Sequence, residues 1–189
     1  MLRELILKNR SYRRFDPKVS ISGEILLQLV DLARLSPSGA NRQPLKFFLS
    51  RESGTNDLIF PHLAWAAYLK DWSGPAEGER PAAYIVILGD KHVSSSFGCD
   101  HGIAAQSILL GAVEKGLGGC MVGSIERKGL QKVLNLSENL EILLVIALGK
   151  PAETVILENV GDNGDIKYWR DEQECHHVPK RSLEDIVVS

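Results

Sequence analysis

The chain predicts an α+β sandwich, and three observations carry the prediction. Two uninterrupted apolar runs, Ala82 to Leu88 and Ile142 to Leu148, have the length and composition of strands buried on both faces. Asp100 to Lys115 is rich in Ala, Ile and Leu on nearly every side, as in a helix placed in a core or a subunit interface. Helical and extended segments are mixed without the strict strand–helix–strand repeat of a parallel sheet.

Taken in order, Leu2, Leu5 and Ile6 recur at helical spacing, and Arg10 to Phe15 breaks toward Asp16-Pro17. Ser22 has the character of an N-cap, and Ile25, Leu26, Leu29, Val30 and Ala33 form one helical stripe ending near Leu35. A Ser-Pro-Ser-Gly loop follows, and Leu45 to Ser50 reads as a strand. Asn56 to Lys70 reads as a helix whose boundary Pro61 obscures, and Asp71 to Pro81, with Gly74, Pro75, Gly78 and Pro81, as a loop. Arg127 to Leu134 is a shorter helix, Glu141 to Leu148 the second buried strand, and Asp165 to Trp169 a last short strand. There is no internal repeat and no low-complexity tract.

The 189 residues fit one domain, 1–189, with a substantial core. A net charge of -2 gives no long-range attraction to nucleic acid or anionic lipid, so neither is expected as a partner. The longest apolar stretch, Ile142 to Leu148, is far below the roughly 20 residues that span a bilayer. Cys99, Cys120 and Cys175 are odd in number and scattered, unlike a disulfide framework, which points to a reducing cytoplasm.

Against this balanced background two segments concentrate chemistry. Asn9-Arg10-Ser11-Tyr12-Arg13-Arg14-Phe15 offers guanidinium groups and a hydroxyl suited to an oxyanion such as a phosphate. Ser36-Pro37-Ser38-Gly39-Ala40-Asn41-Arg42-Gln43-Pro44 is a turn-forming run with two side-chain amides, each able to donate and accept along the edge of a heterocycle. Together they point to a phosphorylated heterocyclic cofactor. The glycine-rich Gly116 to Ser124 is not a dinucleotide fingerprint, because GxGxxG from Gly116 requires glycine where Met121 stands. Cys175-His176-His177 lacks the ligand spacing of a zinc site and reads as a surface turn, so no metal is expected. Arg14 reads as solvent-facing.

These segments resemble the FMN-dependent nitroreductase family. The resemblance rests on Arg-Ser-x-Arg from Arg10, Ser-Pro-Ser-x-x-Asn-x-Gln-Pro from Ser36, Asp100 to Gln106, Gly116 to Ser124 and Val178 to Glu184, in the family's order. It implies a nitroreductase-like fold, a mostly antiparallel central sheet flanked by helices, in an intertwined homodimer with two FMN sites at the subunit interface. Arg10, Ser11 and Arg13 would contact the cofactor. Pro37, Ser38, Asn41 and Gln43 would reach the flavin bound mainly by the opposite subunit. The backbone of Val122, Gly123 and Ser124 would lie beside the ring, and Lys180 or Arg181 would complete the phosphate pocket. The Asp100–Lys115 helix is the candidate centre of the dimer interface. The family often has tryptophan after Gln-Pro, whereas Leu45 follows Pro44 here.

The implied activity is FMN-dependent oxidation of NADH or NADPH with ping-pong reduction of nitroaromatics, quinones or similar flat acceptors, and no catalytic side chain is nominated. An FMN-holding or electron-transfer protein, and a specialised flavin dehydrogenase or dehalogenase of the same fold, remain as alternatives. Trp65, Tyr68 and Trp72 are expected to pack against the body rather than stack on substrate.

Overall fold

A computed structural model describes residues 1–188. The two apolar runs form its centre: Ala83–Asp90 (β2) and Leu140–Gly149 (β4) lie side by side and antiparallel. Leu45–Ser50 (β1) flanks β2 and Gly118–Val122 (β3) flanks β4, and every pairing in this sheet is antiparallel. The composition of β2 follows from what lies on either side. Ala83, Ile85 and Ile87 enter one core cluster, whereas Tyr84, Val86 and Leu88 enter the other. β4 divides in the same way, Ile146 and Leu148 facing one cluster and Val145 and Ala147 the other. A strand covered on both faces has no polar side, so its alternation vanishes from the sequence.

Gly23–Leu35 (α2) and Asp100–Glu114 (α4) cover the first face, with Leu26, Leu29 and Ala33 meeting Ala104, Ala105, Ile108 and Ala112. Ser22 caps α2 as expected, its Oγ accepting from the Ile25 N–H at 3.2 Å. Ser53–Ile59 (α3) and Arg127–Val133 (α5), with Leu63 and Trp65, cover the second face. Leu2–Lys8 (α1) lies on α4 and leaves Leu2, Ile6 and Leu7 exposed.

Two expectations need correction. The helix expected over Asn56–Lys70 ends at Ile59, and Pro61 sits in a tight 3-10 turn at Phe60–His62. Leu63 then bridges Ile125 and Ala66 adopts a positive φ of 40°, so the chain has left helical geometry for good. The strand expected at Asp165–Trp169 contracts to Trp169–Arg170 (β6), part of a second sheet with Val155–Asn159 (β5) and His176–Lys180 (β7). In that sheet β7 is central, parallel to β5 and antiparallel to β6.

Candidate functional site

The segment Arg10 to Asp16 is stitched to the core from both sides. Ser11 bridges Gly119 on the outer edge of β3, and the Tyr12 N–H donates to the Gly119 carbonyl at 3.0 Å. Further on, Phe15 bridges Pro151, and the Ala152 N–H donates to the Arg14 carbonyl at 3.0 Å. Beneath the segment lies Glu153, whose side chain is only 2% exposed. Its carboxylate accepts from the backbone N–H of Arg13 and, at 3.1 Å, from that of Arg14, and it pairs with Arg170 Nη2 at 3.1 Å. Arg14 does not face solvent as expected. It pairs with Glu174 at 2.7 Å and Glu79 at 3.4 Å, and its guanidinium, like that of Arg170, lies over the Trp72 ring.

This arrangement builds a cleft of about 360 Å³ lined by Arg10, Ser11, Arg13 and Lys180, together with Asn9, Gln106, Tyr168, His176 and Val178. Among the described residues no carboxylate lines it. Burial pushes the Arg10 guanidinium below its ordinary value, and its Nε, out of contact with solvent, has no partner among the described residues. Arg13 is buried; its Nη1 donates to the Ser11 carbonyl and to His176 Nε2, both at 3.2 Å, and its guanidinium lies 5.0 Å from the Tyr168 ring centre. His176 is buried too, and burial, reinforced by the charge of Arg13, pushes its pKa down to about 4.

A second cleft of about 240 Å³ shares Arg13, Met121 and Tyr168 with the first. Val122, Gly123 and Ser124 line it, opposite Ala64 to Ala67. The Ala64 N–H donates to the Ser124 carbonyl at 2.9 Å, which holds the two walls together. Seven of the twelve residues expected in the site are thus gathered in two adjoining clefts: Arg10, Ser11, Arg13, Val122, Gly123, Ser124 and Lys180. Arg181 is exposed and lines neither.

Pro37, Ser38 and Gln43 line a different cavity, of about 160 Å³, that shares no residue with those clefts, and Asn41 is exposed beside it. Their loop precedes β1, at the opposite edge of the sheet from β3. At the usual strand spacing that is about 14 Å across the sheet. The loop is held in an unusual shape, with Ala40, Asn41 and Gln43 at φ of 51°, 53° and 52°. Asp100 fastens it, accepting from Ser38 Oγ at 2.6 Å and from the Gly39 N–H at 2.9 Å.

The sequence reading assigned no role to Gln106, Tyr168 or His176, and it placed His176 in a surface turn. A signal for the histidine does exist: His176, Val178 and Lys180 alternate along β7, and all three line the cleft. Pro179 masks the alternation, because proline is rare within strands. It is tolerated here because β6 pairs with β7 only at His176 and His177. Trp65 and Trp72 pack into the second core cluster as expected, whereas Tyr68 is exposed against the ring of Tyr168.

Residues 6–150 match the sequence model of the Nitroreductase family. The chain belongs to the nitroreductase family. A Bacillus subtilis (strain 168) relative described as "Putative NAD(P)H nitroreductase YodC" is 30% identical, over 87% of this chain and 96% of its own length. Among solved structures, a nitroreductase family protein from Streptococcus pneumoniae TIGR4 covers 100% of both chains with a TM-score of 0.72 at 15% identity. An FMN-dependent nitroreductase from Clostridium difficile R20291 gives a TM-score of 0.63 at 22% identity, covering 79% of this chain and 87% of that one. The nitroreductase-like fold expected from the sequence is therefore the fold observed. Within this family member, no described helix is long and apolar enough to cross a membrane.

Proposed function

We propose that this nitroreductase-family chain is an FMN-dependent NAD(P)H oxidoreductase acting on flat acceptors such as nitroaromatics and quinones. The observation that carries the reading is the joined pair of clefts: one with three cationic side chains and, among the described residues, no carboxylate, the other walled by Val122 to Ser124. A phosphorylated flat heterocycle matches that division. Desolvated guanidinium groups attract an anion more strongly than solvated ones, and burial partly desolvates that of Arg10. The described FMN dependence of the Clostridium difficile neighbour and the NAD(P)H in the name of the Bacillus relative point the same way.

In this reading Arg10, Arg13 and Lys180, rather than Arg181, hold the anionic and acceptor-bearing parts of FMN, and Ser11 supplies a hydroxyl. Val122, Gly123 and Ser124 offer backbone groups beside the ring. FMN, when bound, supplies the hydride chemistry between NADH or NADPH and the acceptor. The protein's share is to bind, to orient and to place positive charge, so no side-chain nucleophile is required.

The working unit is a homodimer. Pro37, Ser38, Asn41 and Gln43 lie at the far edge of the sheet from Gly123, so only a second copy brings them to the same cofactor. Exposed Leu2, Ile6, Leu27 and Leu35, with Leu183 and Ile186 near the end of the chain, supply apolar surface for that contact. The helix α4 contributes less than its composition suggests, because Ala104, Ala105, Ile108 and Ala112 are consumed in the chain's own core. One domain over 1–189 and a reducing cytoplasm, the latter supported by three free thiols, complete the reading.

The test is the visible spectrum of the protein reconstituted with FMN, followed by anaerobic addition of NADH and then NADPH. Bound flavin that bleaches establishes the reductase and names its donor. Bound flavin that stays oxidised with both donors refutes the reductase in favour of an FMN-holding protein. Failure to bind FMN refutes the cofactor itself.

A further inference from the structure

We propose that His176 is a positioning residue for Arg13: its Nε2 accepts from Arg13 Nη1 and thereby reserves the other edge of the guanidinium for the ligand of the cleft. The argument rests on the FMN reading above for the identity of that ligand, and on geometry for the rest. A guanidinium has no acceptor, so the 3.2 Å contact requires a bare lone pair on His176 Nε2. The ring is then neutral with its proton on Nδ1, in keeping with its burial beside a cation. The second hydrogen of Arg13 Nη1 is committed to the Ser11 carbonyl at 3.2 Å. With both Nη1 hydrogens committed, the Nε and Nη2 hydrogens have no oxygen or nitrogen partner among the described residues, and the buried Cys120 thiol lies beside the guanidinium. That edge has the fork geometry that grips two adjacent acceptor atoms, whether of a phosphate or of a heterocycle.

A purely space-filling role does not account for the choice of residue. His176 Nδ1 is out of contact with solvent and has no hydrogen-bond partner among the described residues. A buried N–H without an acceptor disfavours folding, and an apolar side chain at this place would avoid it. What the imidazole offers in return is the lone pair that fixes Arg13, on a strand that also delivers Lys180 to the same cleft. The Tyr168 ring, 5.1 Å from the His176 ring and 5.0 Å from the Arg13 guanidinium, packs against both and limits their movement.

The experiment combines FMN affinity, read by quenching of flavin fluorescence, with nitrogen-15 NMR of the histidine ring and thermal melting. The variants are His176→Leu, His176→Gln and His176→Asn. Wild type should show the Nδ1–H tautomer at neutral pH. His176→Leu should fold and lose about ten- to hundredfold in FMN affinity, the range for a hydrogen bond to a charged group. His176→Gln, whose amide oxygen reaches the place of Nε2, should stay within about threefold of wild type by the same accounting. His176→Asn, one bond shorter, should resemble the leucine variant, and it decides the matter if His176→Leu does not fold. An Nε2–H tautomer, or wild-type FMN affinity in the leucine variant (in the asparagine variant if the leucine variant does not fold), overturns the role of His176 and leaves the FMN reading standing. A wild-type protein that binds no FMN overturns that parent reading, and this one with it.

Discussion

Replacing Glu153 with alanine is expected to destabilise the fold by about 3–5 kcal/mol, the usual effect of removing one partner from a buried ion pair. The magnitude follows from what the carboxylate holds. Its partner Arg170 is 9% exposed and would keep a charge with little access to water. The backbone N–H groups of Arg13 and Arg14 would lose their acceptor at the same time. For a chain of this size, about 2–4 °C of melting temperature accompanies each kcal/mol, so the shift should be roughly 6–20 °C. Glu153→Gln, which keeps one neutral acceptor, should lose roughly 1.5–3 kcal/mol, the worth of a charge-assisted hydrogen bond. The assay is urea unfolding followed by circular dichroism at two protein concentrations, since dimer dissociation would make the apparent stability concentration-dependent. A double variant separates the two jobs of the carboxylate. Replacing both Glu153 and Arg170 by methionine removes the ion pair without stranding a charge, which by itself is often neutral. Because the two backbone donors remain stranded, the double variant should still be clearly less stable than wild type. Glu153→Ala within about 1 kcal/mol of wild type, or full recovery in the double variant, would refute the claim that this carboxylate pins the Arg13 segment.

Gly119→Ala should lose about 1–3 kcal/mol, because a Cβ there would run into the Ala147 carbonyl oxygen and Leu109. Gly54→Ala, with open space around it, should be neutral or slightly stabilising, and urea titration of the pair tests the contrast. Ala40→Gly relieves a left-handed alanine at φ 51° and should gain roughly 0.5 kcal/mol; a loss would show that the loop is not strained there. The adjacent histidines should give opposite pH signatures. Hydrogen bonds donated to Asp171 and then to Glu158 hold His177 above its ordinary value, so its contribution is complete below the unfolded pKa of about 6.5 and is lost as pH rises through the folded value. His176, pushed down to about 4 chiefly by burial, stays neutral while the unfolded chain takes up a proton, so stability falls as pH drops from about 6.5 toward 4. In melting curves from pH 4 to 9, therefore, His176→Gln should gain stability relative to wild type as pH falls below about 6.5, whereas His177→Gln should be less stable than wild type at acid pH and converge on it toward alkaline pH. Two differences of the same sign would contradict both assignments.

The parts of this protein that were legible in its sequence are those in which a physical requirement repeats over neighbouring residues. β2 is apolar from Ala83 to Leu88 and β4 from Ile142 to Leu148 because each faces two layers there, and the cap at Ser22 acts on Ile25, three positions away. The arginines near the start were legible for a related reason: Arg10, Ser11 and Arg13 share one extended segment, so a single stitched strand delivers them together. β3 was hidden because its glycines suggested conformational freedom, when Gly119 is needed for close approach to Ala147. Pro179 hid β7, and with it the alternation that brings His176 and Lys180 to the cleft. The two motifs that first suggested a cofactor lie at opposite edges of one sheet, and a linear spacing has no means of showing that their union requires a second chain. Least visible were the groups that aim Arg13. Glu153 meets it across 140 positions and His176 across 163, each through contacts with no periodicity and no neighbouring repeat. A buried arginine nevertheless demands partners of this kind, since its charge and its donors must be met somewhere. The presence of Arg13 in the motif thus predicts that such groups exist, and only the fold can say which residues they are.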